Sequence, residues 1–230
     1  MGVGATTFEF LHAYIDQLPR APLHAPLSDR AALKYQMCML VIGSLRSARE
    51  IAFSASKLWL QGHFLLATVG VRMLTELYGQ MAWAQAKVLG PIQRNEIALS
   101  SERMAKLLLG SNSAIPLIRG ESGPHPLINV MDFVRAADTK IPEMSDHYAF
   151  LCDSAHPSYM LQSWLLFAGP DHDNWTNATF ATEVSKILER VVQIAELSVA
   201  GIAVVSEELM SQCVPEIVAE AAAWRPADTS

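Results

Sequence analysis

Cysteine and charge are both scarce in this chain. The three cysteines, Cys38, Cys152 and Cys213, are odd in number, far apart and without CxxC spacing. That excludes a disulfide framework and a cysteine-built zinc site, and they read as reduced, mostly core residues of a cytoplasmic protein. Charged residues make up 17% of the 230 positions and hydrophobic residues 51%, a balance that excludes general disorder. Uninterrupted apolar runs are missing too. The stretches Met37–Gly43, His63–Val71 and Leu197–Val205 are the most apolar, and polar or charged neighbours such as Arg46, Arg72 and Glu196 stop them short of a membrane span. No membrane partner is expected. The first ten residues lack a basic region followed by an apolar run, so no signal peptide is expected either. The net charge of −6 gives no broad positive surface for nucleic acid, although it leaves room for a local basic cleft. No G-x-S-x-G, Walker loop, dinucleotide fingerprint or zinc spacing occurs, and no cofactor is expected.

Alternating β-branched runs are also absent, and helical periodicity fills their place. The pattern predicts helices over about Thr6–Leu18, Ser28–Leu60, His63–Leu89, Pro91–Gly110 and Leu127–Ala137. Further helices are expected from near Pro142, from Pro157 to Phe167, from Thr179 to Gln212, and in a short C-terminal piece. Ser28 is placed to cap the first long helix, and Gly62 to turn the chain after it. Ser-, Gly- and Pro-rich stretches at 111–126 and 169–174 read as loops. The expected fold is all-α, an antiparallel bundle with long central helices. It is expected as one domain over 1–230, with an N-terminal helix and proline-rich link over 1–27, the bundle over 28–212, and a C-terminal helix and tail over 213–230. The surplus of apolar residues over any membrane need points to a homo-oligomer.

The segment from Tyr148 to Ser158 concentrates reactive side chains. On a helix Tyr148, Cys152 and His156 lie at i, i+4 and i+8 and share a face, with Asp153 bordering it. Pro157 removes a backbone N–H and should end or kink the helix at His156. A second pattern lies in the helix from His63, where Thr68, Arg72, Glu76 and Gln80 form a polar stripe among apolar neighbours. This stripe is either an ordinary solvated face or a seam against another helix. A helix apolar nearly all round is usually central, and Arg72 and Glu76 would then need partners, with Tyr148, Asp153 and His156 the natural ones.

Together, Arg72-Met-Leu-Thr-Glu76 and Tyr148-x-x-Leu-Cys-x-x-x-His-Pro-Ser158 resemble a bacterial helical family of unknown function. In general pattern the chain is similar to the HEPN superfamily of helical bundles, many of them dimers associated with nucleotide or RNA biology. The resemblance spans about Ser28 to Phe167. It implies a helical, dimeric fold. HEPN ribonucleases carry an arginine shortly before the histidine on one helix, and no arginine lies between Ile141 and His156 here. Arg72 would have to supply the cation from another helix.

Two further chemistries are conceivable at these residues. Asp153 and His156 have the i,i+3 spacing of a metal-gripping pair, but a di-iron bundle needs two such pairs and two more carboxylates. Glu50, Glu76 and Glu196 are not singled out for that role, and no metal is assigned. Cys152 could meet His156 one turn on, yet cysteine is among the most buried residue types and is read as core. The expected function is therefore a dimeric binding or interaction module with a polar site between central helices. The binding residues are Arg72, Glu76, Tyr148, Asp153 and His156. The alternatives are a HEPN-like ribonuclease or other phosphoester hydrolase, using Arg72, Glu76 and His156, and a metal-binding bundle. A small molecule or RNA is a conceivable ligand that no residue pattern singles out.

Overall fold

The computed structural model describes residues 27–109, 128–155 and 178–223, and these are helical with no strand. Helix α1 spans Asp29–Leu60, and Ser28 caps it, accepting a hydrogen bond from the Ala31 amide at 3.2 Å. Gly62, at φ 81°, makes the tight turn into α2, Phe64–Ala84, which therefore runs back along α1. After a break come α3, Ile97–Leu109, then α4, Val130–Asp138, α5, Met144–Ala155, and the long α6, Ala178–Ala223. Asn129 caps α4 through the Met131 amide, so that helix opens later than Leu127. Asp138 accepts from the Ser145 amide and hydroxyl and so joins the end of α4 to the first turn of α5.

Helix α2 is central. It packs against α1, α4, α5 and α6, and Leu74, Thr75, Tyr78 and Met81 are almost wholly buried. Close approach is permitted by glycine at one contact, where a Cβ on Gly79 would lie 2.6 Å from the Phe133 carbonyl oxygen of α4. The main core gathers Met37 and Val41 of α1, Tyr78 and Met81 of α2, Met104 of α3, and Leu209 and Ile217 of α6. A smaller apolar cluster, Val71, Leu151, Val191 and Ile194, joins α2, α5 and the first half of α6. No helix among the described residues is long and apolar enough to cross a membrane.

Two expected helix ends are not there. The helix predicted to stop at Gly90 instead widens into a π turn over Gln85–Leu89 and continues through Gly90–Gln93, and Asn95, at φ 64°, lies in the turn that follows. The Gly90 amide reaches the Gln85 carbonyl, five residues back. Pro91 has no N–H, and side chains of α3 take up carbonyls of this stretch: Arg103 donates to the Lys87 carbonyl at 2.9 Å, and Ser100 to that of Val88 at 3.1 Å. The helix expected from Pro91 to Gly110 is consequently split by the turn at Arg94–Glu96. The second difference lies in α6, which runs past Gln212 with Pro215 inside it rather than breaking into a separate terminal piece. Pro215 deprives the Ser211 carbonyl of its usual donor, and the next carbonyl, Gln212, accepts from the Lys34 ammonium at 3.0 Å. The elements expected over 6–18, 111–126, 157–167 and 169–174 lie outside the described residues.

Candidate functional site: a polar seam between α2 and α5

Arg72 and Glu76 stand one turn apart on α2, and their side chains meet at 3.0 Å. Apolar residues on most other positions press α2 into the bundle, so this stripe cannot turn wholly to water. It meets α5. Tyr148, itself buried, donates its hydroxyl to Glu76 Oε1 at 2.7 Å and accepts from Arg72 Nε at 3.2 Å and Nη2 at 3.0 Å. The guanidinium carbon also lies 5.2 Å from the centre of the tyrosine ring. One hydroxyl thus serves both members of an ion pair.

The seam is neither core nor surface. The side chains of Arg72 and Glu76 keep 36% and 33% of their exposure, and Tyr148 of α5 meets them both, so the stripe is a seam against another helix rather than an ordinary solvated face. Burial pushes the Tyr148 hydroxyl up from its ordinary value, and its hydrogen bond to Glu76 pushes it further. Desolvation pulls Arg72 down, but the hydrogen bond and charge interaction with Tyr148 outweigh it, with Cys152 and Glu76 acting in the same direction. Tyr148 therefore stays protonated and Arg72 charged across the physiological range. Cys152, one turn beyond Tyr148, is half-buried and close enough to act on both groups.

Of the residues singled out in sequence, the structure brings Arg72, Glu76 and Tyr148 together. Asp153 is exposed on α5 and is not a member of this hydrogen-bonded triad. His156 lies outside the described residues, immediately past the end of α5 at Ala155. Among the described residues no group of three or more His, Cys, Asp or Glu side chains could hold a metal ion.

Two polar clusters, one buried and one partly buried, carried no sequence signal. Thr75 of α2 and Ser198 of α6 share a hydroxyl hydrogen bond of 3.0 Å in the core. At the far end of the bundle Lys34, almost wholly buried, meets Glu216 at 2.5 Å, while Arg30 reaches the same carboxylate at 2.7 Å. Beside that cluster the Cys38 thiol is pushed up by a hydrogen bond with Cys213 and by burial. These pairs are 123 or more residues apart in the chain, and no local spacing foretells them.

Comparison of the chain with protein-family models, with curated proteins and with solved structures found no match. The seam has to be read from its own geometry.

Proposed function

We propose that this protein is a cytoplasmic, homo-oligomeric binding or interaction module whose polar site is the Arg72–Glu76–Tyr148 seam between α2 and α5. The observation that carries the reading is the double duty of the Tyr148 hydroxyl, which donates to Glu76 and accepts from Arg72. Every charge at the seam is balanced before any ligand arrives, while a third of the arginine and glutamate surface stays open. A partner carrying its own donor and acceptor would exchange hydrogen bonds with the seam without leaving a charge unpaired. Such an arrangement suits reversible recognition better than proton transfer, because a tyrosine held well above its ordinary value is a poor general base.

A second reading keeps the kinship with HEPN bundles and makes the protein a phosphoester hydrolase. What favours it is that Arg72 packs on α5 at Tyr148, in the segment that runs on in sequence to His156. In that reading Arg72 stabilises phosphate charge and His156 acts as the acid or base.

The experiment that separates them incubates the purified full chain with single-stranded RNA and with an activated phosphodiester. The module reading expects no turnover above that of His156→Ala, and a lowered melting temperature in that variant. RNA cleavage that disappears in both His156→Ala and Arg72→Ala, with helicity unchanged, would replace it with the hydrolase.

A further inference from the structure

Among the described residues, helix α1 keeps one long side free. From Met39 to Lys57 the exposed positions Met39, Gly43, Arg46, Glu50, Phe53 and Lys57 recur at alternating intervals of four and three. That is the spacing of a coiled-coil seam, in which one helix faces another of similar length. Arg46 and Glu50 make no ion pair among the described residues, although they stand one turn apart, and arginine preceding glutamate is the less favourable order within a helix. A Cβ on Gly43 would meet nothing within 4 Å, and with Met39, Leu77 and Leu108 this glycine borders a cleft of about 380 Å³. Phe53, by contrast, is 66% exposed, with the Lys57 ammonium 5.9 Å from the centre of its ring.

These features pair with one another about a single point. Arg46 and Glu50 are centred on position 48, and so are Gly43 and Phe53, and Met39 and Lys57. We infer that the exposed face of α1 docks on the same face of a second copy of this chain, the two helices antiparallel across a twofold axis at position 48. In that register Arg46 meets Glu50 of the other copy twice, once on each side of the axis. Phe53 enters the open space over Gly43, about 15 Å along the helix from its own position. The aliphatic stem of Lys57 lies along Met39. Opposite charge meets opposite charge, and a projecting ring meets a hole, which is the self-complementarity an isologous interface requires. At 32 residues α1 is about 48 Å long, enough for an interface of ordinary size when α2 flanks it. The inference rests on the self-association part of the function proposed above, and assigns it a face distinct from the polar seam.

Light scattering on the full chain across a dilution series tests both levels separately. Wild type is expected at twice the 25.2 kDa chain mass, and a monomer throughout would overturn self-association and this face together. Arg46→Glu and Glu50→Arg each set like charges opposite one another and should weaken the dimer at least about tenfold. Combining the two substitutions restores opposite signs and should restore the dimer. Gly43→Leu, for which the single chain has room, should block Phe53 and give a folded monomer. A dimer that survives Gly43→Leu and both charge reversals would place self-association on another face, and failure of the double exchange to restore it would overturn the antiparallel register. Circular dichroism on each variant establishes that the helices are intact.

Discussion

The Tyr148 hydroxyl is the residue-scale feature on which the seam turns. Tyr148→Phe keeps the ring under Arg72 and the Arg72–Glu76 pair, and removes only the atom that links α5 to α2. It should cost about 1–2 kcal/mol in urea unfolding, because the hydroxyl bonds both charged groups of a pair that water partly screens. Glu76→Ala should cost about as much, since a third of the pair is exposed and water compensates part of the loss. The figure of several kcal/mol that a fully buried pair would imply does not apply. A larger loss is expected where backbone meets backbone. Gly79→Ala would drive a methyl to 2.6 Å from the Phe133 carbonyl, which cannot yield as a flexible side chain does. It should destabilise by about 2–3 kcal/mol in the same assay. The seam residues were legible because they recur at helical spacing. Lys34 and Glu216 were not, because a lysine amid apolar neighbours looks the same whether it reaches water or a distant carboxylate.

At the scale of elements, α1 and α6 are tied at their ends by charge as well as by apolar packing. Desolvation tends to raise the Glu216 carboxyl, but the hydrogen bonds from Lys34 and Arg30 prevail and hold it below its ordinary value of 4.5. A carboxylate whose folded value is depressed contributes stability that is complete above its unfolded value and is lost as pH falls through the folded one. Glu208, held down by Gln85 and Lys140, adds to the same limb. Melting temperature should therefore fall as pH drops below about 4.5, and Glu216→Gln should flatten that fall while lowering the plateau near neutrality. Pro215 is the other element-scale test. It sits exposed within α6 and removes a backbone donor, so Pro215→Ala should stabilise the chain by about 1–3 kcal/mol in thermal unfolding. This helix was expected to end at about Gln212. It does not, because a helix packed along its length against α1 and α2 gains more from continuing than it loses at one carbonyl.

Across the described residues the apolar core divides unequally. Among the described residues the main core around Tyr78 draws on α1, α2, α3 and α6, whereas the smaller cluster at the other end gathers Val71, Leu151, Val191 and Ile194. Amides near Val191–Ile194 should therefore exchange with deuterium sooner than those near Val205–Ile217, as measured by mass spectrometry under native conditions. Equal protection in both regions would mean that α6 opens as one unit. The all-helical class, the cap at Ser28, the turn at Gly62 and the central place of α2 were all determined by the sequence itself, because periodicity, capping and positive φ are local properties. Only the tertiary structure decided that Tyr148 would be the residue to meet Arg72 and Glu76, that Thr75 would meet Ser198, and that the helix would run on through Gly90. Each of those outcomes depends on groups from another helix that supply a donor or acceptor. A buried polar atom must find a partner, but a linear pattern does not say which one the packing will bring.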